Sequence, residues 1–416
     1  MPASQLGITV VMRRPIRGWR PVRDAAGSPL ADHERVRTVG VEEELLVGDA
    51  SGVPVPLGPE ALSVAARRGE GETTEQHDMA EQEGADPPEG AHLVPELKAQ
   101  QVELGTPVCR TLAEVDAALR HWRGRADAAA RAVGARVAAL ATSPVAVRPT
   151  PTEGERYGRL LDAFGTTAAE MLTCGCHVHV SVEDDEEGVA VLNRIRPWLP
   201  VLTALTANSP FWEGADTGYA SFRSQAWRRW PSAGANEPFA HAADYHRLID
   251  AVLATDTVLD TGMIYFDARL SEKWPTVEVR TADVALEVED AVTLAGLVRG
   301  LVETAARSAR DGQPVPTMRT EVLGLAAWRA GRSGLTGDLV HPATGLPAPA
   351  ADVLTDLLGH VRAALADAGD EQRVSDGVAR LLARGTGADL QRRVHRETGD
   401  LTAVVRAAVA VTTGCP

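Results

Sequence analysis

Apolar and polar residues alternate with a period of two in three separated stretches of the chain, the mark of a strand with one buried face. In Gly40–Val47, alternation puts Glu42 and Glu44 on one face and Val41, Glu43, Leu45 and Val47 on the other. In Met171–Val182, Cys174, Cys176, Val178 and Val180 turn to the core while His177, His179 and Ser181 turn away. In Thr276–Arg280, Val277 and Val279 oppose Glu278 and Arg280, and Asp267, Arg269 and Ser271 alternate upstream in the same manner. Residues 136–142, 262–270 and 274–281 read as strands.

Elsewhere the period lengthens to that of a helix. Thr111 and Glu114 form a capping box that opens a helix running to about residue 134. Further helices are predicted near 59–68, 155–170, 241–254 and 186–207, the last kinked at Pro197 and Pro200. From Val288 onward the chain reads as mostly helical, over 288–310, 352–368, 371–384 and 390–411. The predicted class is α+β: a mainly antiparallel sheet covered by helices, with a helical C-terminal third. Residues 37–416 read as one domain, with 288–416 its mainly helical part.

Two stretches lack either period. Residues 1–36 are rich in Arg and Pro and read as a flexible extension. The apolar run Leu6–Met12 is followed, not preceded, by Arg13, Arg14 and Arg17, the wrong order for a secretory signal. Residues 69–91 carry eight acidic side chains and few apolar ones, and read as a mobile acidic loop. A loop rich in Arg and Trp is expected over 208–238, pinned by Trp212, Trp227 and Trp230.

Composition narrows the function classes. Of 416 residues, 44% are hydrophobic and 24% charged, as in a globular protein. The net charge of −15 argues against nucleic acid or an anionic membrane as main partner. No run of 18 apolar residues occurs, so no membrane-spanning helix is expected. Cys109, Cys174, Cys176 and Cys415 have no framework spacing, which points to a reducing, cytoplasmic setting. Lys98 and Lys273 stand alone among forty arginines.

The candidate chemistry follows from the faces. Two carboxylates on one buried face repel and lose hydration, so they call for a counter-ion, and a hard divalent cation supplies one. The alternative is a solvated edge strand whose charges discourage aggregation. Cys174-Gly-Cys-His-Val-His179 invites zinc, but alternation turns its cysteines away from its histidines. Glu278 beside Arg280 is either a surface ion pair or, in a cleft, a metal ligand next to a phosphoryl clamp. Glu96 and Glu103 are seven apart, so a bulge or bend is needed for both to reach one site from a strand. Arg223, near Tyr219, is either pinned in a loop or set to pair a carboxylate.

Taken in order, Gly40-Val-Glu-Glu-Glu44, Pro95-Glu-Leu-Lys98 with Val102-Glu-Leu-Gly-Thr106, Gly175-Cys-His-Val-His-Val180, Asn208-Ser-Pro-Phe-Trp-Glu-Gly214 and Thr276-Val-Glu-Val-Arg280 with Asp283 resemble the glutamate–cysteine ligase superfamily. The likeness is greatest to its bacterial carboxylate–amine ligase branch, the YbdK type, over about residues 38–340. The resemblance implies a glutamine-synthetase-like catalytic sheet and ATP-dependent amide formation through an acyl phosphate. It implies that Glu42, Glu44, Glu96, Glu103, His177 and Glu278 bind Mg²⁺, with Mn²⁺ as a substitute. Arg280 and Glu278 are the expected catalytic residues, Arg280 and Lys273 the nucleotide contacts, and Arg223, Arg269 and Tyr219 the substrate contacts. The substrates would be a small carboxylate and an amine, and a homodimer fits the family pattern. Glu43, on the other face, is expected not to be a ligand. Residues 69–91 and the N-terminal extension depart from the pattern, and Trp328-Arg329-Ala330-x-Arg332 has no assigned role. The same carboxylates and histidines would also suit a metal-dependent hydrolase needing no ATP, or a non-catalytic protein that binds nucleotide and metal.

Overall fold

The apolar faces of the alternating segments meet in one antiparallel sheet. The computed structural model describes residues 36–83 and 92–414; the N-terminal extension and the end of the acidic stretch lie outside the described residues. The sheet has seven strands: β1 (Val39–Gly48), β2 (Leu93–Pro95), β3 (Gln101–Gly105), β4 (Arg136–Ala138), β5 (Gly175–Ser181), β6 (Ala268–Leu270) and β7 (Thr276–Asp283). Their order is β2-β3-β1-β5-β7-β6, with β4 also paired to β1. Every pairing is antiparallel.

One face is apolar and covered by helices. Val41, Leu45, Val47, Cys176, Val178, Val180, Val277 and Val279 are all buried in the main core. Leu112–Ala132 and Val288–Arg310 are the principal covering helices. The first starts at the expected capping box: Glu114 N–H donates to Thr111 Oγ1 at 3.2 Å, and Thr111 N–H donates back to Glu114 at 3.2 Å. The second is buried along most of its length, because further C-terminal helices pack over its outer side. The predicted kink appears as Asp185–Ile195, a single tight turn Arg196–Trp198, and Leu199–Leu205, with Pro197 and Pro200 removing the donors a continuous helix would need.

The structure corrects three readings. Thr74–Glu83, inside the expected acidic loop, is a helix. Its start signal is Thr73-x-x-Gln76: Gln76 N–H donates to Thr73 Oγ1 at 3.3 Å, and Thr73 N–H donates to Gln76 at 2.9 Å. The helix predicted over 390–411 is two, Gly387–Thr398 and Leu401–Thr413, divided where Gly399 turns left-handed at φ 64°. Only Ala268–Leu270 of the 262–270 stretch pairs with the sheet; Thr261–Met263 is a helical turn.

Candidate functional site

The uncovered face of the sheet carries the charged residues, and strand register decides which of them meet. Glu44 lies opposite Glu103 across β1 and β3, and Glu42 opposite His177 across β1 and β5. His179 lies opposite Glu278 across β5 and β7, and Glu278 opposite Arg269 across β7 and β6. The pairing of β5 with β7 shifts between Cys176 and Val178. Glu96 follows the end of β2, and the chain turns through 97–100 before β3 begins. That turn is the bend the seven-residue spacing of Glu96 and Glu103 required.

Side chains close the row. Nδ1 of His177 is 3.4 Å from Glu42, and Nε2 of His179 is 3.3 Å from Glu42. Both imidazoles come within 3.9 Å of Glu278. Glu44 accepts a bond from Gly175 N–H at 2.7 Å. Arg280 bonds Glu278 from one side, and Nε of Arg269 holds its other oxygen at 2.7 Å. Ligand atoms of Glu42, His179 and Glu278 all lie within 4.8 Å of one another. His179 is therefore the site residue the sequence reading left out of its ligand set, although alternation had already placed it on this face.

Crowding sets the charges. Burial opposes ionisation of Glu42, but His179 and His177 hold it well below the usual carboxylate range. Burial likewise opposes charge on Glu278, and Arg280 and Arg269 outweigh it. For Glu96 and Glu103 the nearby guanidinium groups do not outweigh burial and like charge. Burial, reinforced by the charge of Glu44, pushes Glu96 up to about 8. Burial and the charges of Glu42, Glu96 and Glu44 push Glu103 well above its ordinary value. Burial opposes charge on His179, but Glu42 and Glu278 raise it; burial and Arg280 lower His177.

The arrangement suits a hard divalent cation. Nε2 of His177 is buried with no hydrogen-bond partner, Nε2 of His179 has none beyond its 3.3 Å ion contact with Glu42, and the carboxylates around them repel one another until a cation intervenes. A pH dependence follows. Glu96 has a folded pKa near 8 against an ordinary 4.5, so folding takes up a proton and metal-free stability falls as pH rises between those values. Glu103 and His179 act in the same direction, and His177 opposes them. We expect the thermal midpoint of the EDTA-treated protein to fall from pH 5 to pH 8.5, and Mg²⁺ to raise it more at pH 8.5 than at pH 5. Mg²⁺ added at pH 7 in weak buffer should release protons; a flat midpoint and no release would refute the crowded-carboxylate account.

The other expected residues divide. Arg223 is buried, with Nε unpartnered. Its guanidinium lies over the Trp227 ring, 5.4 Å from the centroid, and fills the space a Cβ on Gly175 would need. Arg280 lies 5.9 Å from the centroid of Tyr265, and Trp227 and Tyr265 touch at 4.9 Å. Arg223 and Arg280 thus stand at the two ends of an aromatic floor. Arg269, expected to contact substrate, spends Nε on Glu278 and Nη1 on the carbonyls of Thr261, Gly262 and Ile264 at 3.1–3.3 Å. Tyr219 packs on Phe222, Trp328 and Arg332 instead of joining the carboxylate row. Lys273 stands exposed in the turn between β6 and β7. Glu43 faces the helices, fully buried, in a two-bond pair with Arg123 at 2.7 and 2.8 Å.

Comparison with known proteins supplies the family. The family model described as glutamate–cysteine ligase family 2 (GCS2) matches residues 38–407. The chain is 50% identical over 379 residues to "Putative glutamate--cysteine ligase 2-1" of Paenarthrobacter aurescens, covering 91% of this chain and 95% of that one. It is 48% identical over 374 residues to "Putative glutamate--cysteine ligase 2" of Streptomyces coelicolor, covering 90% and 98%. A glutamate–cysteine ligase of Francisella tularensis, solved in complex with AMP, superposes with a TM-score of 0.63 at 12% identity, over 91% of this chain and 90% of that one. A bifunctional glutathione synthetase of Pasteurella multocida gives 0.63 at 15% identity, over 91% and 52%. The fold is the glutamine-synthetase-like α+β arrangement expected from the sequence. No helix among the described residues is long and apolar enough to cross a membrane.

Proposed function

Because the chain belongs to glutamate–cysteine ligase family 2, and with it to the ATP-dependent carbon–nitrogen ligases, we propose that it joins glutamate or a glutamate-like acid to an amine through an acyl phosphate. The observation that carries this reading is the division of charge on one sheet face. A row of carboxylates and histidines ends at Arg280, and a second buried guanidinium, Arg223, stands across the aromatic floor.

A carboxylate is a poor electrophile at neutral pH, and transfer of the γ-phosphoryl group of ATP turns it into an activated acyl group. ATP and the acid are both anions, so bringing them together requires cations. Glu42, Glu44, Glu96, Glu103, His177, His179 and Glu278 would hold Mg²⁺, which when bound neutralises and orients phosphate oxygens. Arg280, fixed by Glu278 and the Tyr265 ring, stabilises the charge on the transferring phosphoryl group. Arg223 receives a carboxylate of the acid substrate, since a buried guanidinium with an unpartnered Nε favours a planar anion. The free, buried thiols Cys109, Cys174 and Cys176 suit a reducing cytoplasm.

The test is incubation with ATP, Mg²⁺, L-glutamate and a panel of amines, with ADP and amide followed by mass spectrometry. Amine-dependent ADP release with a matching amide is the expected result. If no pairing gives it, the proposed substrates are wrong; product formed without ATP would favour hydrolysis.

A further inference from the structure

Asp283 closes β7, is fully buried, and lies within electrostatic reach of Arg223, although no metal or nucleotide role has been assigned to it. Its Oδ2 accepts from Asn208 N–H at 2.8 Å and from the Ser209 hydroxyl at 2.7 Å. Its Oδ1 accepts from the Ser221 hydroxyl at 2.9 Å. A buried carboxylate costs stability unless it is bonded and paired, so this degree of satisfaction calls for a use.

The two hydroxyls pass the contact onward. Ser209 Oγ accepts from Arg223 N–H at 3.0 Å, and Ser221 Oγ from Ser224 N–H at 3.3 Å. These amides open the short helix Arg223–Trp227. The same loop is held from outside by Gly331, whose carbonyl accepts from Ala220 and Ser221 N–H, both at 2.9 Å. Asp283 also lies opposite Gly175 in the β5–β7 register, and Gly175 is the residue whose missing Cβ makes room for the Arg223 guanidinium. One carboxylate therefore holds the backbone that launches Arg223, and the residue that carries it pairs with the strand position the guanidinium rests on.

We propose that Asp283 is a positioning residue for the acid substrate: through Ser209 and Ser221 it holds the 208–223 loop so that Arg223 presents a fixed cation to a carboxylate. The inference rests on the reading of Arg223 as the carboxylate receptor. It differs from a purely structural role in what it does to each substrate. A loosened Arg223 weakens recognition of the acid and leaves ATP recognition, which belongs to Arg280 and the row of carboxylates and histidines, unchanged.

The experiment uses the full chain and compares wild type, Asp283→Asn, Arg223→Gln and the double variant. Asp283→Asn should raise KM for the acid about tenfold or more, keep KM for ATP within about twofold, and add nothing further in the Arg223→Gln background, because residues acting through one another are non-additive. Equal changes in both KM values, or a full effect of Asp283→Asn without Arg223, would overturn the proposal. Hydrogen–deuterium exchange supplies an arm that needs no turnover. Asp283→Asn should speed exchange over 208–223 while β1 and β5 stay protected, and unchanged exchange in that loop would equally overturn it. A wild type that shows no amine-dependent ADP release refutes the ligase substrates alone, and the exchange result then decides the role of Asp283.

Discussion

Glu44→Gln is expected to lower ligase turnover by about a hundredfold to a thousandfold, the scale lost when one preorganised group is taken from a site that stabilises charge, while the protein stays folded. Glu44 sits between Glu103 on β3 and the 175–177 segment of β5, and its charge helps push Glu96 and Glu103 above the normal carboxylate range. The amide keeps an oxygen for Gly175 N–H and removes a like charge from a crowded face. The thermal midpoint of the metal-free variant should therefore match the wild type or exceed it, as is common when strain at a functional site is relieved. Parallel measurement of amine-dependent ADP release and thermal unfolding checks both halves. Turnover within tenfold of wild type would remove Glu44 from the site.

Its neighbour behaves in the opposite way. Arg123→Ala should cost about 3–5 kcal/mol of folding stability, the range for leaving one charge of a buried pair uncompensated. Arg123 makes two bonds to Glu43 and donates to the carbonyls of Ala285 and Leu286 at 2.6 and 2.9 Å. Its loss strands a carboxylate and two carbonyl oxygens between the sheet and the helix Val288–Arg310. Urea unfolding is the measurement, with activity recorded well below the transition. A change under about 1 kcal/mol would show that the pair is dispensable. Three successive glutamates thus divide between two faces: Glu42 and Glu44 line the charged face of the sheet, and Glu43 ties the sheet to its helices.

That division was legible in the sequence because a strand has an exact period of two and needs no tertiary information to sort its faces. The same logic separated His177 and His179 from Cys174 and Cys176 and placed Glu278 beside Arg280. Period does not say what a side chain will meet in space. Arg269 alternates correctly, and the 261–264 segment folds against it and takes its Nη1. Tyr219 lies close to Arg223 in sequence, yet the helix Thr320–Ser333 draws it away through Trp328 and Arg332. The helix Thr74–Glu83 was missed for another reason. Its acidic composition masked the Thr73–Gln76 cap, and mean polarity says little about a segment that begins with a good cap. The start of the same chain of contacts lay in plain view as Asp283 of the Thr276–Asp283 segment, but nothing in a linear pattern says that a carboxylate will meet two serines more than sixty residues away.

The irregularity between β5 and β7 gives this arrangement its geometry. Two steps along β5, from Cys176 to Val178, are matched by three along β7, from Ala282 to Val279. Arg280 and Thr281 together face the single residue His177. On an uninterrupted strand, residues five apart point to opposite sides, so Glu278 and Asp283 could not both serve the polar face. The additional residue reverses the parity of the strand partway along, bringing the carboxylates of Glu278 and Asp283 onto one surface. The spacing between them is thus as much a determinant of the site as their identities. A deletion of one residue there would preserve every functional side chain in the sequence and still put the two halves of the site out of phase.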